Sequence, residues 1–245
     1  MKLTVIGCFG PYPKAGGACS GYLIEWEKNK LLLDLGNGVL SRYLELGHKV
    51  EDLTGIIISH FHADHMSDLL ILRYLLQVKM INNQIKKPIP IYCPSTPSKF
   101  YEEVKYKNVY SINTIRDKQN LTLNGLNIKF YKTNHPVECY LTSIHYKDKK
   151  FVYTGDTDYF SDIEKIVQKS DLLLCEGGML QSQKTKNTPH LSAKEAAQIA
   201  NTGKVRSLIL THIYPENNIE DILKEAKKYY SGQIQIASEK MVYDI

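Results

Sequence analysis

The stretch "SHFHADHMSD", residues 59–68, holds three histidines and two aspartates within ten positions. It directly follows the apolar run Gly55-Ile56-Ile57-Ile58, which predicts a strand buried in a core. Burying so much polarity at the end of such a strand would be very costly without a compensating partner. The H-x-H-x-D-H pattern of residues 60–65 therefore indicates a metal site.

Histidine or aspartate also follows the ends of three other predicted strands. These are His135 after Ile128 to Thr133, Asp156 after Phe151 to Thr154, and His212 after Ser207 to Thr211. Ligands in α/β proteins collect at the carboxyl ends of strands, so we expect the four strand ends to converge on one place. Each of these three residues alone is better explained as a hydrogen-bonded or turn residue. Only their combination with H-x-H-x-D-H favours a metal site.

The candidate ligands are all histidine nitrogens or carboxylate oxygens. They are His60, His62, Asp64, His65, His135, Asp156 and His212. This ligand set suits zinc, manganese or iron. Seven ligands exceed the four of a closed structural zinc site, but they suit two ions roughly 3.5–4 Å apart that share a bridging carboxylate. We therefore predict two divalent metal ions, with zinc as the first choice and manganese or iron as alternatives.

Short apolar runs alternate with longer amphipathic segments, which is typical of an α/β protein. The predicted strands are Leu3 to Ile6, Tyr22 to Trp26, Lys30 to Leu33, Gly55 to Ser59, Ile89 to Tyr92, Ile128 to Thr133, Thr142 to Tyr146, Phe151 to Thr154, Leu172 to Cys175, Ser207 to Thr211 and Ile234 to Ile236. The predicted helices are Met66 to Lys79, Phe160 to Lys169, Ala193 to Thr202 and Ile219 to Tyr230. Ser192 and Glu195 form a capping box before the third helix, and Gly203 ends it. Since no repeat or linker interrupts the pattern, residues 1–245 are predicted to form one domain.

Composition narrows the class of protein further. The net charge is +5, and the basic residues form no obvious stripe, so stable binding to a nucleic-acid duplex is not expected. Five cysteines without a C-x-x-C pair argue against a disulfide framework and against a cysteine-built zinc site. No run of 18 apolar residues predicts a membrane span. The first ten residues resemble a strand and not a signal peptide, so a cytoplasmic location is expected.

Together, the H-x-H-x-D-H pattern and the three downstream residues resemble the metal-binding pattern of the metallo-β-lactamase superfamily. The resemblance runs along essentially the whole chain. It implies an α/β fold, the four-layer αββα sandwich, with a dinuclear metal site at one edge. It also implies that a hydroxide between the ions is the nucleophile. In the implied site the first metal takes His60, His62 and His135, the second takes Asp64, His65 and His212, and Asp156 bridges them.

Three carboxylates have roles beside the metals in this scheme. Asp64, besides binding a metal, would orient the hydroxide. Asp34 in "LLLDLG" resembles an aspartate of the superfamily that supports the ligands without binding metal. Asp68 either plays a similar supporting role or is a solvated residue in the first turn of a helix.

The stretch "NTPHLSAKEAAQIA" resembles a segment of the ribonuclease Z-like phosphodiesterases, in which the histidine lies near the scissile phosphate. Here that histidine is His190. A protonated imidazole could donate to a leaving alkoxide or stabilise its charge. Glu176 in "LLLCEGG" resembles a glutamate of this branch that orients the histidine. The alternatives are a surface histidine and a plain carboxylate at a strand end.

One departure from that branch concerns its substrate. The tRNA-processing enzymes carry an inserted arm between the counterparts of His135 and Asp156, whereas residues 136–155 leave room for only two short strands. The chain resembles small bacterial members that lack the tRNA-binding arm. The leading hypothesis is a dinuclear-metal phosphodiesterase acting on a small phosphodiester or a short, single-stranded nucleic acid, such as a cyclic nucleotide, a dinucleotide or an RNA end.

Two other functions remain open at this point. The first is hydrolysis of carboxyl esters, lactones or thioesters at the same metal site. The second is binding of metal or of a partner without catalysis, which a degraded ligand set would favour. Relatives of this kind are often homodimers, and the apolar segment Leu69 to Met80 would be either core or a surface that covers a second copy.

Overall fold

The computed structural model describes residues 1–245. The strands are β1 (Lys2–Gly7), β2 (Gly21–Trp26), β3 (Asn29–Leu33), β4 (Leu53–Ile57), β5 (Ile89–Cys93), β6 (Tyr110–Thr114), β7 (Asn120–Leu123), β8 (Leu126–Lys132), β9 (Tyr140–Tyr146), β10 (Lys149–Tyr153), β11 (Leu172–Gly178), β12 (Ser207–Ile213), β13 (Gln233–Ile236) and β14 (Val242–Asp244). The α-helices are α1 (Val39–Glu45), α2 (Ala63–Met66), α3 (Leu69–Ile81), α4 (Ser98–Val104), α5 (Ile163–Val167), α6 (Ala193–Thr202) and α7 (Ile219–Ala226). Two short 3₁₀ helices span Val50–Asp52 and Gln181–Gln183.

The chain contains two compact units. The first unit comprises Met1–Ile115 and Glu239–Asp244, and the second comprises Arg116–Ser238 with Ile245. The single domain expected from the sequence stays a prediction. None of the helices combines the length and the apolar content needed to cross a bilayer.

The first unit is built on a seven-stranded sheet with the order β14-β1-β2-β3-β4-β5-β6. β1 pairs antiparallel with both β14 and β2, and β2 pairs antiparallel with β3. From β3 to β6 the neighbouring strands are parallel. The carboxyl ends of β3 and β4 therefore lie side by side at one edge of this sheet.

Helix α3 supplies part of the core of the first unit. Leu69, Leu72 and Leu76 recur at helical spacing and are buried, and each contributes about 1.5–3 kcal/mol by its burial. The opposite face of α3 leaves Ile71 and Ile81 more than half exposed. One face of the segment Leu69 to Met80 is thus core, and pairing of its other face with a second copy stays a prediction.

The second unit is built on a seven-stranded sheet with the order β13-β12-β11-β10-β9-β8-β7. From β10 to β13 the strands are parallel, and from β7 to β10 they are antiparallel. Because β8 and β10 are both antiparallel to β9, they run in the same direction. The carboxyl ends of β8, β10, β11 and β12 consequently lie at one edge of this sheet.

Helix α6 has the bounds predicted from its capping box. Ser192 Oγ accepts a hydrogen bond from the Glu195 N–H (3.2 Å), and Glu195 Oε2 accepts one from the Ser192 N–H (2.9 Å). Gly203 ends the helix, but its φ of −70° is not left-handed. A Cβ at this position would lie 2.7 Å from Val167 Cγ2, so the glycine is required by packing against α5.

All eleven predicted strands are present, with shifted ends. β4 covers Leu53–Ile57 and not Gly55 to Ser59, because the Ser59 N–H leaves the sheet to donate to Asp34 Oδ1 (2.7 Å). β11 and β12 each continue past their predicted ends, so Glu176 and His212 lie within strands. Three short strands were not predicted: β6, β7 and β14.

The helix predictions need three corrections. The helix predicted from Met66 to Lys79 is two helices, since Met66 ends α2 and Leu69 begins α3. The helix predicted from Phe160 to Lys169 covers only α5, and Lys169 itself has a positive φ of 53°. α7 ends at Ala226 and not at Tyr230, whose hydroxyl donates to the Val205 carbonyl (2.8 Å). α1 and α4 were not predicted.

Candidate metal centre

The first unit gathers four of the candidate ligands in the turn after β4. His60 Nε2 lies 3.0 Å from His62 Nδ1, and the ring centroids of His60 and His65 are 4.1 Å apart. Asp64 Oδ2 lies 3.5 Å from His65 Nε2. His60 and His65 are fully buried and Asp64 is nearly so. These donor groups therefore face one another in a setting with little solvent.

A buried aspartate and a serine hold two of these imidazoles. Asp34 Oδ2 accepts hydrogen bonds from His65 Nδ1 (2.8 Å) and from Ser59 Oγ (2.8 Å). Because the Ser59 hydroxyl donates to Asp34, its oxygen accepts from His60 Nδ1 (3.0 Å). Both rings thus keep the lone pair on Nε2, the arrangement that a carboxylate commonly imposes on a metal-binding histidine. Asp34 thus contacts His65, and its support of metal ligands stays a prediction; the contacts of Ser59 were not predicted.

The backbone around Asp64 is closely packed. The Ser20 N–H donates to the Asp64 carbonyl oxygen (3.1 Å), and the Leu35 N–H donates to the His65 carbonyl (2.8 Å). A Cβ on Gly36 would overlap the Asp64 carbonyl oxygen. The sequence "LLLDLG" therefore supplies both Asp34, with its positive φ of 59°, and the glycine that lets the histidine turn approach.

The second unit gathers the remaining candidates at one edge of its sheet. His135 follows β8, Asp156 follows β10, Glu176 lies in β11 and His212 lies in β12. These four strands run in the same direction, so their polar residues meet at their carboxyl ends, as expected from the sequence. His190 reaches this edge from the loop before α6.

Asp156 is the centre of this second group. Its Oδ2 lies 3.4 Å from His212 Nε2 and 3.9 Å from His190 Nδ1, and the three residues form a group that could hold a metal ion. The potential ligand atoms of His135 and Asp156 lie within 4.8 Å of each other. The carboxylate of Asp156 is almost completely buried.

The structure brings His190 and Glu176 together. His190 Nδ1 lies 3.0 Å from Glu176 Oε2 and 3.3 Å from Oε1, while the Thr157 N–H also donates to Glu176. Burial raises the pKa of the Glu176 carboxyl, and the adjacent His190 imidazole opposes this shift. Glu176 is fully buried and His190 is a quarter exposed, so neither is simply a surface group.

Local backbone geometry places His212. Its φ of 56° is left-handed, a region that residues other than glycine adopt mainly where the surroundings enforce it. A Cβ on Gly178 would overlap the His212 carbonyl oxygen, so β11 needs a glycine beside this residue. The "EGG" sequence thus supplies Glu176 and the space that the neighbouring strand requires.

Asp68 lies apart from the imidazoles. It is buried, and its Oδ2 accepts a hydrogen bond from the Leu40 N–H (2.8 Å) in the first turn of α1. Burial raises the pKa of its carboxyl, and bonds from backbone N–H groups oppose the shift. Asp68 is therefore not a solvated helix residue. Its carboxylate caps α1, which follows the loop that carries Asp34.

The donor chemistry of both groups fits divalent metal ions with nitrogen and oxygen ligands. His60 and His65 present Nε2, and His135 Nδ1 faces the Pro189 carbonyl oxygen (3.4 Å), which leaves Nε2 as the nitrogen that could bind a metal ion. Cys19 lies near this set, and burial, with the charge of Asp64, raises the pKa of its thiol to about 12.

The comparisons with known proteins agree with this fold and donor set. Residues 29–213 match the family described as "Beta-lactamase superfamily domain". The chain belongs to this superfamily. The resemblance to its ribonuclease Z-like branch and the expected α/β fold class, the αββα sandwich, are confirmed.

Individual relatives refine the comparison. The chain is 33% identical to the "Probable metallo-hydrolase YhfI" of Bacillus subtilis over 246 residues, covering 100% of both chains. It superimposes on the crystal structure of that protein with a TM-score of 0.95, covering 99% and 98%. It is 23% identical to a ribonuclease Z of Streptomyces coelicolor, covering 97% and 95%. The short form of human tRNase Z shares the fold, with a TM-score of 0.80 at 22% identity and with 100% and 99% covered.

Proposed function

We propose that this chain is a metal-dependent hydrolase that cleaves small or single-stranded phosphodiesters. Its relatives include a protein named as a metallo-hydrolase and proteins named as ribonuclease Z. The buried imidazole and carboxylate groups supply the donors that such an enzyme requires. No expected ligand is replaced in the sequence, which disfavours a role limited to binding.

The metal ligands are assigned by the family resemblance together with these donor groups. His60, His62, Asp64 and His65 come from the first unit, and His135, Asp156 and His212 come from the second. Two divalent ions, with zinc as the first choice, would be held by these residues and would supply hydroxide at neutral pH by lowering the pKa of bound water. Asp34 and Ser59 keep the lone pairs of His60 and His65 on Nε2, the atoms that would bind the metal.

His190 is assigned the role of protonating the leaving group. Because Nδ1 faces Glu176, the ring presents Nε2 to a substrate. The Glu176 carboxylate stabilises a positive charge on the imidazole, which favours donation of the Nε2 proton to a departing alkoxide oxygen. Asp64 would orient the attacking group, as the resemblance implies.

A cavity lies beside His135. It has a volume of about 260 Å³, and Asn134, Lys186 and Thr188 are among its lining residues. Cavities for drug-sized ligands usually measure about 300–1,000 Å³. This cavity therefore suits a small group with polar edges, such as one nucleoside of a diester, better than a folded RNA.

The observation that carries the proposal is the contact of His190 with the buried Glu176 beside Asp156. The test is hydrolysis of bis(p-nitrophenyl) phosphate by protein of measured metal content, alone and as His190→Ala. A lost general acid should lower turnover by about 100-fold. His145→Ala is the matched control, because His145 lies exposed on β9 of the same unit.

The other outcomes point to definite alternatives. Hydrolysis of carboxyl esters, lactones or thioesters, unaffected by His190→Ala and without any phosphodiester cleavage, would replace the proposed function by that activity. Protein that binds metal but hydrolyses none of these compounds would contradict catalysis altogether.

A further inference from the structure

A lysine in the loop before His190 is bound to two carboxylates. Lys184 Nζ lies 2.6 Å from Asp158 Oδ1 and 2.7 Å from Glu195 Oε2, and its side chain is only 11% exposed. The Lys165–Asp162 pair of the same unit is far more exposed, with side chains that are 81% and 62% exposed. Both contacts of Lys184 are short, charge-assisted hydrogen bonds in a partly dry setting.

The first of these carboxylates belongs to the turn after β10 that contains Asp156, here called the Asp156 turn. Asp158 comes two residues after Asp156, and its N–H donates to the Asn134 carbonyl (2.8 Å) next to His135. The Asn134 N–H in turn donates to Thr157 Oγ1 (3.1 Å). Through Asp158, Lys184 is therefore attached to the two connected turns that carry His135 and Asp156.

The second carboxylate belongs to the start of α6. Glu195 Oε2 also accepts from the Ser192 N–H, two residues after His190. The Ala193 N–H donates to the Met179 carbonyl (2.8 Å) and so closes residues 179–192 into a loop, here called the His190 loop. Lys184 thus joins the closed base of the His190 loop to the Asp156 turn.

The charges explain why a cation is needed between these groups. Burial alone would lower the pKa of Lys184. The hydrogen bonds and charges of Asp158 and Glu195 raise this pKa by a larger amount, so the net shift is upward. The ammonium consequently stays charged and separates two carboxylates that would otherwise repel each other. A neutral side chain of similar length would leave the two carboxylates facing each other across the gap.

We propose that Lys184 is a positioning residue, which holds His190 at its place beside Asp156 by fastening the His190 loop to the Asp156 turn. This inference rests on the proposed function, in which His190 acts on the leaving group. Lys184 itself touches neither the substrate nor the proposed metal ligands.

The test is a double-mutant cycle between Lys184 and His190. Lys184→Met should lower kcat for bis(p-nitrophenyl) phosphate by about 10- to 100-fold with little change in KM, because misplacing a catalytic group by about 1 Å has effects of this size. In a His190→Ala background the same substitution should cost less than about twofold, since there is no imidazole left to misplace. Lys165→Met is the matched control and should leave kcat unchanged in both backgrounds.

Equal losses from Lys184→Met in the two backgrounds would overturn the inference, because a purely structural role does not depend on His190. If Lys184→Met does not fold, Asp158→Asn replaces it, because this substitution removes the charged partner of Lys184 in the same contact. It should then lower kcat in the wild-type background and have little effect in the His190→Ala background. Its equal loss in both backgrounds would overturn the inference in the same way.

A second readout does not depend on activity. In metal-free protein, the imidazole NMR signals of His190 should shift and broaden in Lys184→Met but not in Lys165→Met. Unchanged signals would overturn the inference. If His190→Ala leaves phosphodiester hydrolysis intact, the proposed function fails instead, and the NMR comparison still decides whether Lys184 positions the ring.

Discussion

Replacement of Asp34 by asparagine should weaken metal binding by about 10- to 100-fold. The carboxylate can only accept hydrogen bonds, and its Oδ2 lies 2.8 Å from His65 Nδ1. It therefore fixes the proton of His65 on Nδ1. An asparagine can keep its carbonyl oxygen toward the Ser59 N–H (2.7 Å), but it then turns its amide N–H₂ toward His65. The favoured tautomer of His65 then carries its proton on Nε2, the atom needed by the metal.

The magnitude follows from the contact that is lost. A hydrogen bond to a charged group contributes about 1.5–3 kcal/mol, and about 1.4 kcal/mol corresponds to a tenfold change in affinity. Loss of the Asp34–His65 bond therefore predicts about one to two orders of magnitude. This agrees with the usual effect of removing a carboxylate behind a metal-binding histidine.

The assay is competition for zinc between the protein and a chromophoric chelator, with the free energy of unfolding of metal-free protein measured in parallel. Asp68→Asn is the matched control, because Asp68 is also a buried carboxylate but caps α1. It should lower stability without changing zinc affinity. Wild-type zinc affinity in Asp34→Asn, with reduced stability, would refute the role assigned to Asp34 and His65.

Three further results are expected. Gly36→Ala should lower stability by about 1–3 kcal/mol in chemical denaturation and also weaken metal binding, because its Cβ overlaps the Asp64 carbonyl; Gly47→Ala, with nothing within 4 Å, should leave metal binding unchanged. Burial raises the pKa of Asp68 in the folded protein above its ordinary 3.8. Between pH 3.8 and that raised pKa, the folded protein therefore binds more protons than the unfolded protein. The free energy of unfolding should fall as pH rises through this window, and denaturation curves of Asp68→Asn should lack that decline. Removal of metal by a chelator should lower Tm by about 8–16 °C in calorimetry if the metal was present at about a thousandfold its Kd; an unchanged Tm would show that no stabilising ion is bound.

Sequence reasoning succeeded where local chemistry and tertiary packing agree. The capping box of Ser192 and Glu195 defined α6 to the residue, since both reciprocal hydrogen bonds form within one turn. Apolar runs likewise located every buried strand of the two sheets. β7, by contrast, has the sequence "NLTL" and alternates between exposed and half-buried positions at the end of its sheet, so its hydrophobic signal is weak.

The candidate site shows the same division. A histidine or aspartate at a strand end could be recognised from the sequence, because strand direction alone brings such residues to one edge. The contacts of Ser59 and Lys184 could not be recognised, because their partners are distant in the sequence. Ser59 contacts a residue 25 positions away, and Lys184 contacts one residue 26 positions away and another in the following helix, α6. Asp68 could not be placed in this way, because the sequence allowed either a supporting role or a solvated helix position, whereas the side chain is buried and caps α1.

The antiparallel pairing of β1 with β14 also determines when the first unit can be completed. Leu3 pairs with Tyr243, 240 residues later in the chain. At a translation rate of about 5–20 residues per second, that separation corresponds to about 12–48 s on the ribosome. Throughout this interval the outer edge of β1 has no strand partner, and such edges favour pairing with other chains. The sheet of the first unit is therefore the last to be completed, although this unit is synthesised first. Its last strand, β14, follows residues 116–238 of the second unit in the chain.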